Sequence, residues 1–218
     1  MLTSLILAVV LHAAPRPAVA AVAGIPEASR PAVEAGLTAW RHAVASGAVR
    51  RPEILTVIDY SRPSTEPRLF VLEMPSGRVA FRELVAHGRG SGENETVRFS
   101  NAPNSRMTSL GVFLAGSTYR GQHGLSMRLE GLEAGFNDAA RDRDIVVHGA
   151  PYVSASTART LGRLGRSWGC PAVRPEVASR LIDTIRDGSL VVAYYPDRDW
   201  LAHSEFLSTG APAPASNR

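Results

Sequence analysis

Residues 68–86 read RLFVLEMPSGRVAFRELVA, and this stretch decides the class of fold. Its two halves are rich in β-branched and alternating apolar residues, a pattern typical of strands that bury one face. Between them stands Pro75-Ser76-Gly77, in which the proline and the glycine favour a turn. The stretch therefore predicts two strands, residues 68–74 and residues 79–86, joined by a turn.

Strand patterns continue on both sides of this pair, separated by connections rich in Gly, Asn and Ser. Helical periodicity occurs in residues 31–46 and again from Pro175 to just before Gly188. The other predicted strands are residues 54–60, 110–115, 125–129, 145–148 and 190–195. The sequence therefore predicts a mainly β domain with a few helices (α+β), without the alternation of an α/β fold.

The two ends of the chain have a different character from this domain. Residues 2–11 form an apolar run too short to span a bilayer, and small residues up to Ala20 follow it, as in a signal peptide. The alternative is a helix that packs on the domain. We predict a signal peptide over residues 1–20, a folded domain over residues 24–207 and a disordered tail over residues 208–218. The mature protein is then exported to the periplasm or cell wall, without a stable membrane span.

Composition excludes some classes of partner. With 218 residues, 44% hydrophobic and 20% charged, the chain suits one compact globular domain. The net charge of +4 would suit an anionic partner. We expect no nucleic-acid binding, because the sequence contains no Lys/Arg-rich run and no basic stripe interleaved with aromatic residues.

Cys170 is the only cysteine, so its thiol is either buried and inert, paired between chains, or reactive. It follows Ser167-Trp168-Gly169, where a glycine permits close backbone approach and peptide N–H groups can face an oxyanion. Position alone does not separate a reactive thiol from a packed one.

A cysteine nucleophile needs a base, usually histidine. His148 ends a predicted strand and precedes Gly149, a common place for active-site residues. The alternative is that its ring only hydrogen-bonds within the loop. His87 and His123 also lie beside glycines next to strands, and we expect them to line the same cleft.

Two segments together resemble a known family. Residues 145–150 (IVVHGA) and 165–173 (GRSWGCPAV) resemble the signature of murein L,D-transpeptidases with a YkuD-type catalytic domain, a His-Gly pair followed by Ser/Thr-His-Gly-Cys. Residues 55–201 resemble one subfamily of that kind, through the segments VAHG (85–88), RLEGL (128–132) and GFN (135–137). The resemblance implies a β-sandwich catalytic domain. In two respects this sequence departs from the pattern: Trp168 replaces a histidine, and the interval from His148 to Cys170 (170 − 148 = 22) is longer than usual.

The resemblance also implies a chemistry. His148 would deprotonate Cys170, and the thiolate would take an acyl group from a peptidoglycan tetrapeptide stem before an amine or water resolves the thioester. The carbonyl of Gly149 would orient the histidine, and the N–H groups of Gly169 and Cys170 would form the oxyanion hole. Trp168 cannot act as a base. The candidate substrate contacts are Arg166, Ser167, Trp168, Tyr152, His123 and His87; Arg166 suits a carboxylate, or else is an ordinary surface arginine.

Three other functions remain open from the sequence. A metal site built from His87, His123, His148 and Cys170 would lack any short-range ligand pair, so we predict no metal and no cofactor. A non-catalytic wall-binding module would keep the fold without using the thiol. An L,D-carboxypeptidase, cysteine peptidase or amidase acting on cell-wall peptides would share every residue role and differ only in its product.

Overall fold

The computed structural model describes residues 24–208. The predicted signal peptide lies outside the described residues, as does the predicted tail after Ser208. The helices are α1 (Arg30–Ala45), α2 (Ala155–Leu161), α3 (Pro175–Ile185) and α4 (Arg198–His203). The strands are β1 (Ile54–Asp59), β2 (Leu69–Glu73), β3 (Arg78–Glu83), β4 (Gly111–Gly121), β5 (Gly124–Gly131), β6 (Val146–Gly149), β7 (Ala172–Val173) and β8 (Leu190–Tyr194).

All eight strands belong to one sheet, in the order β3-β2-β1-β8-β4-β5-β6-β7. Just beyond β3, the Ala86 N–H donates to the Ala172 carbonyl of β7 at 2.8 Å, which forms an antiparallel bridge between the two ends of the strand order. This contact curves the sheet into a nearly closed barrel. The prediction of a mainly β domain with a few helices is confirmed, and the opposed layers of the expected sandwich are parts of one continuous sheet.

Alternate residues of the strands point to opposite faces, so the two main cores lie on the two sides of the sheet, and a smaller cluster surrounds Ala172 of β7. On the inner face, residues such as Ile58 and Val191 pack against the apolar side of α3. On the outer face, Leu55 and Val192 pack against α1 and α4. Gly36 allows α1 to lie close to β1, because a Cβ at this position would stand 2.6 Å from the Cγ2 of Val57. None of the helices within residues 24–208 is long and apolar enough to cross a membrane.

The structure differs from the predicted elements in three short elements and in the length of one strand. The sequence patterns did not predict β7, α2 or α4. We predicted that the fourth strand ends at Ala115, whereas β4 continues to Gly121, with a register shift between Ala115 and Thr118. Since β8 pairs with only the first four residues of β4, the far end of the β4–β5 hairpin extends past β8.

Candidate active site

One cleft of 640 Å³ brings together the β4–β5 hairpin, strand β6 and the loop before β7. Cys170 and His148 both line this cleft, although 22 residues separate them (170 − 148 = 22). The predicted contact residues that also line it are His123, Tyr152, Arg166, Ser167 and Trp168. The fold therefore gathers most of the predicted site in one cleft.

His148 is fixed by its own strand. In β6 it pairs with Ser126 of β5 on one side and with Ala172 of β7 on the other. Its Nδ1 lies 3.0 Å from the Gly149 carbonyl oxygen. Because a carbonyl can only accept, Nδ1 carries the proton, and the lone pair of Nε2 is left to take another. Burial lowers the pKa of His148, and so does the charge of His123, while the Gly149 carbonyl raises it.

The Cys170 thiol is half-buried at the floor of the cleft. Its Sγ accepts the Val146 N–H at 3.5 Å and lies 3.6 Å from the Asp144 carbonyl, to which the thiol can donate. Burial raises the pKa of the thiol, against the lowering effects of the Val146 N–H and the charge of Arg143. A raised thiol pKa and a lowered imidazole pKa together favour a neutral resting pair, in which His148 is ready to accept a proton.

Ser167 organises the loop that carries the thiol. Its hydroxyl donates to the Cys170 carbonyl at 2.6 Å and accepts the Gly169 N–H at 3.1 Å. Its backbone N–H donates to the His87 carbonyl at 3.0 Å, and its carbonyl accepts the Arg89 N–H at 2.8 Å. The hydrogen bonds of the buried Ser167 side chain thus stabilise the turn formed by Ser167, Gly169 and Cys170.

Gly169 has a backbone conformation that other residues could adopt only with strain. Its φ is +131°, and a Cβ would stand 2.8 Å from the Met107 carbonyl. Since its N–H is engaged by Ser167 in this state, Gly169 can serve an oxyanion only if that hydrogen bond is given up. The Cys170 N–H instead lies near its own thiol and lowers the thiol pKa.

His87 does not line the cleft, which corrects the prediction made for it. Its side chain is fully buried, with Nδ1 2.8 Å from Nη2 of Arg68 and Nε2 3.3 Å from the Gly92 carbonyl. A hidden ring of this kind cannot contact a substrate in the cleft. Within residues 24–208, no three His, Cys, Asp or Glu side chains gather as possible metal ligands.

The remaining predicted contacts form the walls of the cleft. Trp168 is 68% exposed, and the Arg106 guanidinium lies over its ring, 5.1 Å from the centroid. It lines both the cleft and a neighbouring cavity of 460 Å³. Arg166 already pairs with Glu93 at 2.6 Å, so a substrate carboxylate would have to compete with that side chain. Tyr152 is half-buried, and burial raises its pKa to about 12.

The sequence analysis missed several groups in the cleft. Arg143 is the most informative, because it donates to the carbonyls of Ser100 and Met107, both at 2.7 Å, while its charge acts on the thiol. A charge run immediately before β6 was the available signal for it. The other missed lining residues are Tyr119, Gln122, Arg128, Asp144 and Val146.

Comparison with known proteins identifies the family. The profile of the L,D-transpeptidase catalytic domain matches residues 25–194, most of the chain. The chain belongs to this family. Among curated proteins, no sequence matches it.

Several solved structures, two of them L,D-transpeptidases, resemble the chain at low identity. One from Xylanimonas cellulosilytica is 18% identical, with a TM-score of 0.38, and the match covers 63% of this chain and 58% of that one. Another, from Mycobacterium smegmatis, is 17% identical, with a TM-score of 0.39, over 66% of this chain and 59% of that one. The helical cell shape determining protein Pgp2 from Campylobacter jejuni is 12% identical, with a TM-score of 0.44, over 80% and 58%. This chain therefore spans less than two thirds of the length of these relatives.

Proposed function

We propose that this family member is an exported cysteine acyltransferase that acts on peptidoglycan stem peptides, an L,D-transpeptidase. One observation carries the proposal. A single cleft holds the Cys170 thiol together with His148, whose Nδ1 is committed to the Gly149 carbonyl and whose Nε2 can accept a proton. A wall-binding module would have no need for such a pair.

In the first half-reaction, Nε2 of His148 takes the thiol proton, and the thiolate adds to the carbonyl carbon that precedes the terminal D-alanine of a tetrapeptide stem. The new C–S bond creates a tetrahedral oxyanion. When the intermediate collapses, the C–N bond breaks, and the imidazolium returns its proton to the departing amine. A thioester on Cys170 and free D-alanine remain.

In the second half-reaction, an amine of a neighbouring stem attacks the thioester. His148 accepts the amine proton, the C–S bond breaks, and the thiolate takes that proton back as the new amide forms. Water in place of the amine would give a carboxylic acid, which is the L,D-carboxypeptidase reaction. The two outcomes need the same residues and differ only in the acceptor.

The other groups of the cleft have supporting roles in this proposal. The Cys170 N–H stabilises the oxyanion, joined by the Gly169 N–H when Ser167 releases it. Arg166 binds the terminal carboxylate of the donor after exchanging Glu93 for it. Trp168 and Tyr152 form the walls of the donor pocket. The apolar run of residues 2–11 supplies the export signal that such a substrate requires.

The test is incubation with purified muropeptides, with and without an added amine acceptor, followed by mass spectrometry of the products. We expect cross-linked or amine-linked products with loss of D-alanine, and no product from Cys170→Ser. Hydrolysis alone would identify a carboxypeptidase. Unchanged muropeptides together with a thiol inert to electrophiles would favour the binding module.

A further inference from the structure

The tip of the β4–β5 hairpin places a second histidine against the proposed base. Gln122 and His123 connect β4 to β5, and Gly124, with a φ of +74°, completes the turn. The His123 ring lies 4.5 Å from the His148 ring between centroids, with an angle of 28° between the planes. This is a stacked pair within the range of favourable aromatic contacts. It is formed by an exposed side chain of a hairpin that extends past the sheet.

We propose that His123 is a positioning residue for His148: its stacked ring fixes the orientation of the imidazole and couples the hairpin tip to the reactive thiol. This inference rests on the proposed function only in that His148 serves as the base for Cys170. His123 itself is not assigned a proton-transfer step.

Within the described residues, the buried His148 ring makes a single side-chain hydrogen bond. The hydrogen bond from Nδ1 to the Gly149 carbonyl restrains the ring in its own plane, but a single bond allows the ring to rock about it. Contact with one face of the ring removes that freedom. His123 supplies this contact, so the hydrogen bond and the stack together direct Nε2.

Trp168, two residues before Cys170, does not replace this contact. Trp168 stands where the family usually has a second histidine, yet its side chain is largely exposed and stacks with Arg106. In this chain the second imidazole of the cleft comes from the hairpin.

The stack also has an electrostatic consequence. The charge of His123 lowers the pKa of His148, because a positive charge on one ring disfavours a proton on the other. The other charged side chains that line the cleft are Arg128, Arg143, Asp144 and Arg166. Removing His123 should therefore move the titration of His148 to higher pH while those four groups remain in place.

Three variants separate these effects: His123→Ala removes the ring, His123→Phe keeps a stacking ring without charge, and His203→Ala changes an exposed histidine of α4. Alkylation of Cys170 by iodoacetamide is measured against pH by intact mass, and the His148 ring is titrated by NMR. Iodoacetamide requires only an activated thiol, so the readout does not depend on the identity of the acyl donor.

We expect His123→Ala to slow alkylation about 3- to 10-fold, which corresponds to roughly 0.6–1.4 kcal/mol and lies within the range for the loss of an aromatic pair. His123→Phe should restore the rate to within about twofold, and both variants should shift the His148 titration to higher pH. His203→Ala should match the wild type. An unchanged rate and titration in His123→Ala would overturn the inference, as would a His123→Phe variant as slow as His123→Ala.

The two proposals can fail separately. If the wild type does not act on muropeptides but His123→Ala still slows alkylation, the positioning role stands and the substrate assignment falls. If transpeptidation is found and His123→Ala alkylates normally, only the positioning role falls.

Discussion

Residues 85–88 and residues 146–149 look alike in sequence, since each has an apolar segment followed by His-Gly, but the fold uses them differently. They lie on the two sides of β7, where Ala86 and His148 both pair with Ala172. Paired residues on neighbouring strands share a face, so the side chains of Ala86, Ala172 and His148 point the same way. His87, one residue after Ala86, points to the opposite face, the inner core that contains Val85 and Val147.

The surroundings of the two rings differ accordingly. His87 faces the buried Arg68, whose Nη2 donates to Nδ1, so the ring must be neutral with its proton on Nε2. Burial and the Arg68 charge lower the pKa of His87 to about 4. The His87 carbonyl accepts the Ser167 N–H, which connects this segment to the loop that carries Cys170. One histidine therefore supports the loop from within, while the other faces the cleft. A His-Gly pair in the sequence does not by itself indicate whether its histidine is buried or faces the cleft.

The largest expected effect is a loss of activity when His148, the histidine that faces the cleft, is replaced. His148→Gln should lower kcat/KM for a tetrapeptide donor about 10²- to 10⁴-fold, because glutamine fills the space but cannot accept the thiol proton near neutral pH. Its melting temperature should stay close to that of the wild type, since the amide can still donate to Gly149. Steady-state kinetics and thermal melting of both proteins measure this. If His148→Gln retains most of the activity, His148 does not serve as the base, and the proposed difference in role between His148 and His87 is wrong.

The next largest expected effect concerns the buried His87 and is a change in the free energy of unfolding with pH. The pKa of His87 is about 6.5 in the unfolded chain and about 4 in the folded protein. As the pH falls, the unfolded chain therefore takes up a proton at His87 before the folded protein does. Its contribution to the free energy of unfolding is full above about pH 6.5 and is lost as the pH falls towards 4. The loss amounts to about 3 kcal/mol, from roughly 2.5 pKa units at 1.36 kcal/mol each.

Urea unfolding between pH 4 and pH 7 measures this contribution against His87→Gln, which keeps an acceptor for Arg68 and does not titrate. The difference between the two proteins should grow as the pH rises through this range. Parallel pH curves would mean that His87 is not held neutral by its surroundings.

The smallest expected effect is at Trp168. Because its side chain is mostly exposed, Trp168→Ala should cost about 1 kcal/mol in transition-state binding, roughly fivefold in kcat/KM, and change the preference between two donor peptides. Trp168→Phe should recover most of that loss. If Trp168 only anchors the loop, the alanine variant would melt early and keep the donor ratio of the wild type. Melting curves and kinetics with both peptides decide between these outcomes.

The contrast between the two histidines also shows how far the sequence could lead. Alternation predicted β1, β2 and β3, and the resemblance of the segments around His148 and Cys170 to a family signature predicted the pair that shares the cleft. Strand β7 has only two residues, too few for a periodic signal, yet its pairing decides which face His87 occupies. The stack of His123 on His148 depends on a long hairpin whose far end is polar, and no local pattern predicts such a contact. Local sequence patterns therefore predict where strands and helices occur. The register between distant strands decides on which face of the sheet each side chain lies.

The central claim, that His148 activates Cys170 for acyl transfer, is tested most directly by the acyl-enzyme itself. Wild-type protein, His148→Gln and Cys170→Ser are mixed with a tetrapeptide stem lacking an acceptor amine, quenched in acid at short times and weighed intact. The account predicts one acyl adduct on the wild type, formed about 10²- to 10⁴-fold more slowly in His148→Gln and absent from Cys170→Ser. An adduct that forms equally fast without His148, or that persists without Cys170, would contradict it.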